Sequence, residues 1–129
     1  MSDRDKANVR RALSSRDADI NDAFQRLYAA FSYSDAASMP PENQLAAAAK
    51  SLRDDYSAVS KAVAKAGTRV PGSGRLADGL AEYSAAYGKL ARGLQTSNEG
   101  SGNTAFDQME ALLQSAEQKV SSALGRLRL

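Results

Sequence analysis

Leu76, Leu80, Tyr83, Tyr87, Leu90 and Leu94 recur at steps of 4, 3, 4, 3 and 4. That spacing lays six large apolar side chains along one face of an α-helix and does not fit the alternation of a strand. A second run, Leu45, Ala48, Leu52, Tyr56, Val59 and Val63, starts after Ser38-Met39-Pro40 with Pro41 at the first helical position. It stops at Gly67, and Pro71 blocks continuation. Ile20, Phe24, Leu27, Tyr28 and Phe31 form an earlier stripe that extends backward through Leu13 and Val9. Ser14-Ser15-Arg16-Asp17 interrupts it, so residues 3–13 read as a separate helix or an overhang. After Asn98-Glu99-Gly100-Ser101-Gly102-Asn103, expected to be a loop, the last run carries Phe106, Met109, Leu113, Ala116, Val120 and Leu124 or Leu127.

Each stripe is narrow and flanked by alanine, so each helix needs partners to be stable. Loops of about 6 to 9 residues between the runs favour antiparallel neighbours. The expected fold is all-α: an up-down-up-down four-helix bundle over residues 15–129, with residues 1–14 as a short N-terminal helical extension. Gly79, Ala86 and Gly93 form a further column on the third run. Two glycines inside a helix, each costing about 1 kcal/mol relative to alanine, imply close approach of another backbone. Composition agrees with this fold. Of 129 residues, 25 are alanine and only nine are Val, Ile or Thr, too few for a sheet protein.

The chain has no Cys, His or Trp. Ser–His–Asp and Cys–His catalysis, Cys/His zinc sites, thiol redox chemistry and disulfides are therefore excluded, and no enzyme activity, cofactor or metal is expected. No apolar stretch approaches the ~18 residues of a membrane span, and the mixed charge of Ser2-Asp3-Arg4-Asp5-Lys6 is unlike a signal peptide. A cytoplasmic location is the expectation.

Several motifs have plainer readings. Asp17-Ala18-Asp19-Ile20-Asn21 begins like a calcium loop, but Asp22 and Tyr28 stand where that loop needs Gly and Glu, so helix-start acids explain it. Gly72-Ser73-Gly74-Arg75-Leu76-Ala77 matches a dinucleotide pattern without the preceding strand that gives the pattern its meaning, and reads as an interhelical turn. Asp54 and Asp55 diverge by about 100° on a helix and read as solvated surface. Glu110 and Glu117 share a face, but a di-iron bundle also needs His. Tyr28, Tyr56, Tyr83 and Tyr87 read as core tyrosines with hydrogen-bonded hydroxyls.

Net charge is only +2, yet antiparallel threading redistributes it. One pole collects residues 1–19, 61–78 and 117–129, with twelve basic groups against six acids, which leaves the rest of the chain net negative. Cations at helix C-termini suit the macrodipole, which explains Lys61, Lys65, Arg126 and Arg128 but not Arg10 and Arg11. With Arg69 and Arg75, these residues are the candidate partner-binding set. The expected function is a non-enzymatic interaction module, an adaptor or small structural subunit, whose basic pole meets an acidic protein. A homodimer is the self-associating form of that reading. The alternative is a peripheral binder of anionic surfaces, membrane lipid or polyphosphate, through the same pole. Nucleic acid fits less well, because no aromatic side chains interleave with the arginines.

Overall fold

The computed structural model describes the backbone of residues 3–28, 42–95 and 99–129, and the side chains of these except 42–44, 95 and 99–106. It contains five helices: α1 (Asp3–Ser14), α2 (Asp17–Tyr28), α3 (Glu42–Ala66), α4 (Ser73–Gln95) and α5 (Glu99–Leu127). No strand occurs among the described residues. The helices form an all-α bundle in which α1 and α2 in tandem serve as one of the four antiparallel members. The expected start at Pro41 and the stripe residue Phe31 lie outside the described residues, as does the side chain of Phe106.

The break between α1 and α2 has a local cause. Ser15 Oγ donates to the Ala12 carbonyl at 2.7 Å, and Ser14 Oγ lies 3.2 Å from the Arg10 carbonyl. Both hydroxyls therefore engage the backbone where α1 ends. The chain re-enters helix at once, with the Ile20 amide donating to the Arg16 carbonyl at 2.9 Å and Asp17 and Asp19 in the favourable first turn.

Residues 3–14 do not reach past the pole. They lie on α3, and Val9 is fully buried against a cluster that includes Val59, Val63, Val70, Leu76 and Leu127. The reason is length: α1 and α2 together match the 25 residues of α3, so the segment has a neighbour.

One further boundary differs from the expectation. Gly100-Ser101-Gly102-Asn103 is helical, and α5 starts at Glu99. Adding a residue to an existing helix costs far less than nucleating one, so the glycines lower stability without stopping the helix. At the other end, α5 continues through Gly125 to Leu127. Leu127 is 1 % exposed in the core, and Arg128, at φ 50°, closes the helix with its amide on the Leu124 carbonyl at 3.1 Å.

The core is two clusters stacked along the bundle. One joins Val9, Val59, Val63, Val70, Leu76, Leu80, Ala123 and Leu127. The other joins Ala23, Leu27, Leu45, Leu52, Ala86, Tyr87, Leu90 and Met109. Ile20, Tyr56 and Tyr83 pack against both. Hydroxyls tie α3 to α4: Ser60 Oγ donates to the Ala77 carbonyl and Ser84 Oγ to the Arg53 carbonyl, each at 2.7 Å. The glycine column has the expected role at Gly79. A Cβ there would stand 2.8 Å from Val120 Cγ2 and 3.2 Å from the Val120 amide nitrogen, so α5 approaches α4 as closely as a bare backbone allows.

The seams α1/α2–α3, α3–α4 and α4–α5 are closed, but no comparable seam among the described residues joins α5 to α1 or α2. Along that open side lies a cleft of about 480 Å³ with walls from four helices: Phe24 and Tyr28 of α2, Tyr56 of α3, Tyr83 and Tyr87 of α4, and Glu110, Leu113, Gln114 and Glu117 of α5.

Candidate partner-binding pole

The Val9–Leu127 cluster brings the start of α1, the end of α3, the start of α4 and the end of α5 to one end of the bundle. The α3–α4 connection crosses this end as a tight turn. The Gly67 amide donates to the Val63 carbonyl, the Val70 amide to the Gly67 carbonyl, and the Ser73 amide to the Val70 carbonyl. Ser73 is buried and its hydroxyl also donates to the Gly67 carbonyl. Gly67 has no room for a side chain, since a Cβ would collide with Ser73. Gly72, at φ 93°, occupies the left-handed region that favours glycine. The glycine-rich segment is thus a built turn whose serine hydroxyl is spent on the backbone, and it holds Arg69 and Arg75 outward at fixed positions.

Arg10, Arg11, Lys61, Lys65, Arg69, Arg75, Arg126 and Arg128 are all exposed. Among the described residues the ion pairs are Arg16–Asp19 at 3.8 Å, Arg26–Asp22 at 3.2 Å, Arg53–Asp54 at 2.9 Å and Lys119–Glu82. None of them uses any of the eight. Arg11 does hydrogen-bond Asn8 Oδ1 at 2.9 Å, one helical turn back. Lys119 and Ser115, beside Glu82, hold its carboxyl below the usual range.

Three acids assigned to this pole from sequence sit elsewhere, and one of them, Glu117, lies beside Tyr83 in the cleft. Because α1 and α2 are consecutive members of one long helix, Asp17 and Asp19 fall at mid-height, where Asp19 faces Asp55 and Asp17 acts on Tyr56. Burial raises the Asp55 carboxyl above its ordinary value, repulsion from Asp19 raises it further, and Arg16 partly opposes this. These acids line a groove with Asp22, Arg26 and Asp54 between α2 and α3. Arg16 moves to mid-height with Asp17 and Asp19, so the pole loses three acids and one cation and is more basic than the division of the sequence indicated. A broad hollow of about 770 Å³ runs from it along α5, bounded by Arg75, Lys119, Ser121, Ser122 and Leu124.

Of the four tyrosines expected in the core only Tyr87 is buried; Tyr28, Tyr56 and Tyr83 are partly buried against it, and together they form an arrangement the stripe pattern did not reveal. Tyr56 stacks on Tyr83 and on Tyr87 with ring centroids 4.9 and 5.9 Å apart, Phe24 meets Tyr87 edge-on at 5.7 Å, and the Tyr28 and Tyr87 hydroxyls share a hydrogen bond at 3.2 Å. Burial pushes the hydroxyls of Tyr56 and Tyr87 well above their ordinary value; for Tyr87 the bond to Tyr28 adds to the effect. Tyr83 is raised less, by burial and by the nearby Glu117. The missed signal was positional: threaded antiparallel, all four tyrosines fall at similar height, opposite Glu110 and Glu117.

No group of carboxylates that could hold a metal ion occurs among the described residues, and no described helix is long and apolar enough to cross a membrane. Compared with protein-family models, with curated proteins and with solved structures, the chain finds no match.

Proposed function

We propose that the chain is a non-enzymatic helical interaction module of the cytoplasm, an adaptor or small structural subunit, whose basic pole docks on an acidic protein surface. One observation carries the reading: eight cations gather at one end of the bundle, exposed and outside every ion pair among the described residues. Cations outnumber acids at this pole, whereas the opposite half pairs its charges, as in Arg26–Asp22 and Arg53–Asp54. A field of one sign steers an oppositely charged partner into contact, and its effect is screened over about 10 Å at 0.1 M salt. A protein suits this pole better than a bilayer, because Leu124 is the one large hydrophobic side chain standing exposed among the described residues.

The test replaces Arg10, Arg11, Arg126 and Arg128 with Gln, checks by circular dichroism that the helices persist, and repeats affinity capture from native extract over a salt series. The expected result is loss of the salt-sensitive partners. Capture of the same proteins at the same salt tolerance would defeat the proposal. Co-sedimentation of the parent chain with anionic vesicles, undiminished at physiological salt, would favour the lipid reading instead.

A further inference from the structure

The cleft between α2 and α5 is the second place where the molecule offers chemistry that its fold does not consume. A bundle built for stability alone would close such an opening with apolar side chains, as Leu52 and Leu90 do in the buried core beneath it. Instead, α5 turns Glu110, Leu113 and Glu117 toward it, an anion at each end of an apolar centre. Both glutamates are exposed, and neither takes part in an ion pair among the described residues. Seven residues separate them, which on a helix is two turns, or about 10.5 Å.

The opposite walls are the rings of Tyr28, Tyr56, Tyr83 and Tyr87. Aromatic faces attract cations and also accept hydrocarbon, so they suit a chain that is alternately charged and apolar. The volume, about 480 Å³, is that of a small-molecule site. The whole chain is net positive, so a cation would be held here by local geometry rather than by bulk attraction.

We propose that this cleft binds a linear aliphatic polyamine, with its terminal ammonium groups on Glu110 and Glu117 and its methylene chain over Leu113 and the tyrosine rings. The site is independent of the basic pole, and either assignment stands if the other falls. Its occupant has ammonium groups separated by hydrocarbon, the inner charge resting on the aromatic faces, which separates it from metal ions and from simple monoamines.

The chain carries its own reporter: it has no Trp, and four of its five tyrosines line the cleft. Tyrosine emission and titration calorimetry would be followed on the full chain with spermidine, whose extended length spans the two-turn spacing, and with putrescine, butylamine and magnesium as comparators. Spermidine should give a saturable one-site response, stronger than putrescine and far stronger than butylamine or magnesium. Glu110→Gln and Glu117→Gln should each weaken it about tenfold, the loss of one charge-assisted hydrogen bond. Both are surface changes, so circular dichroism should be unaltered. Asp54→Asn with Asp55→Asn, in the separate α2/α3 groove, should leave binding unchanged. The proposal is overturned by the absence of a saturable response, by an equal response to magnesium or butylamine, or by full binding in the Glu110→Gln, Glu117→Gln double variant.

Discussion

At the basic end of the bundle the core is aliphatic, with Val9, Val59, Val63, Leu76 and Leu127 each almost wholly excluded from solvent. Toward the other end it is aromatic and alanine-rich, with five rings and two bonded hydroxyls among Ala23, Ala48, Ala49 and Ala86. Branched aliphatic side chains pack in few rotamers and let helices draw together. Gly79 completes this by admitting α5 against α4. Rings with hydroxyls hold helices further apart and need water or partners at their tips, and among the described residues no close seam joins α2 to α5. The basic half offers a partner a charged surface and a broad polar hollow along α5. The aromatic half offers a cleft walled by rings.

The largest expected effects come from cutting into each core. Leu76→Ala and Leu90→Ala should both destabilise by about 2–5 kcal/mol, because each side chain is almost wholly buried in its cluster. Urea denaturation beside an exposed control, Lys61→Ala, measures this. Equal losses would mean that the two halves are equally well packed, and a Leu90→Ala no weaker than the control would remove the aromatic half from the core.

Glycines give a sharper contrast at intermediate size. Gly79→Ala should cost about 1–3 kcal/mol by forcing Val120 away. Gly125→Ala, with nothing within 4 Å of the new Cβ in the same seam's last turns, should stabilise by about 0.5–1 kcal/mol. Thermal melts that showed the same sign for both would break the link between Gly79 and close packing.

The smallest effect at neutral pH, and the one most specific to the aromatic half, concerns the tyrosines. Tyr87→Phe should cost about 0.5–1.5 kcal/mol through its lost bond to Tyr28. Tyr56 and Tyr87 hold their protons more tightly folded than unfolded, where the ordinary value is 10.0. Stability from these groups is therefore complete below pH 10 and is lost as pH rises above it. Absorbance at 295 nm followed with far-ultraviolet circular dichroism should show their ionisation coinciding with unfolding. Tyr56→Phe should flatten the alkaline fall. Ionisation of all tyrosines near pH 10 with the helices intact would show that the rings are not sealed.

Helical period is a property of the chain alone, since it depends only on how 3.6 residues per turn places neighbours on a face, and the stripes of α3 and α4 were legible for that reason. Up-down threading followed from the short connections, and with it the gathering of Arg10, Lys61, Arg69 and Arg126 at one end. Other features depended on distances between helices. The same Tyr56 or Tyr83 letter serves for a core residue and for a cleft wall, and only the gap between α2 and α5 distinguishes them. Asp17 and Asp19 belong to mid-height because α1 found a place on α3, and Glu99–Asn103 is helical because α5 extends past its own breakers. Sequence spacing thus determined which face of each helix is apolar, a matter of covalent geometry. Tertiary packing alone decided which faces meet and which stay open, because that balance is struck between side chains far apart in the chain.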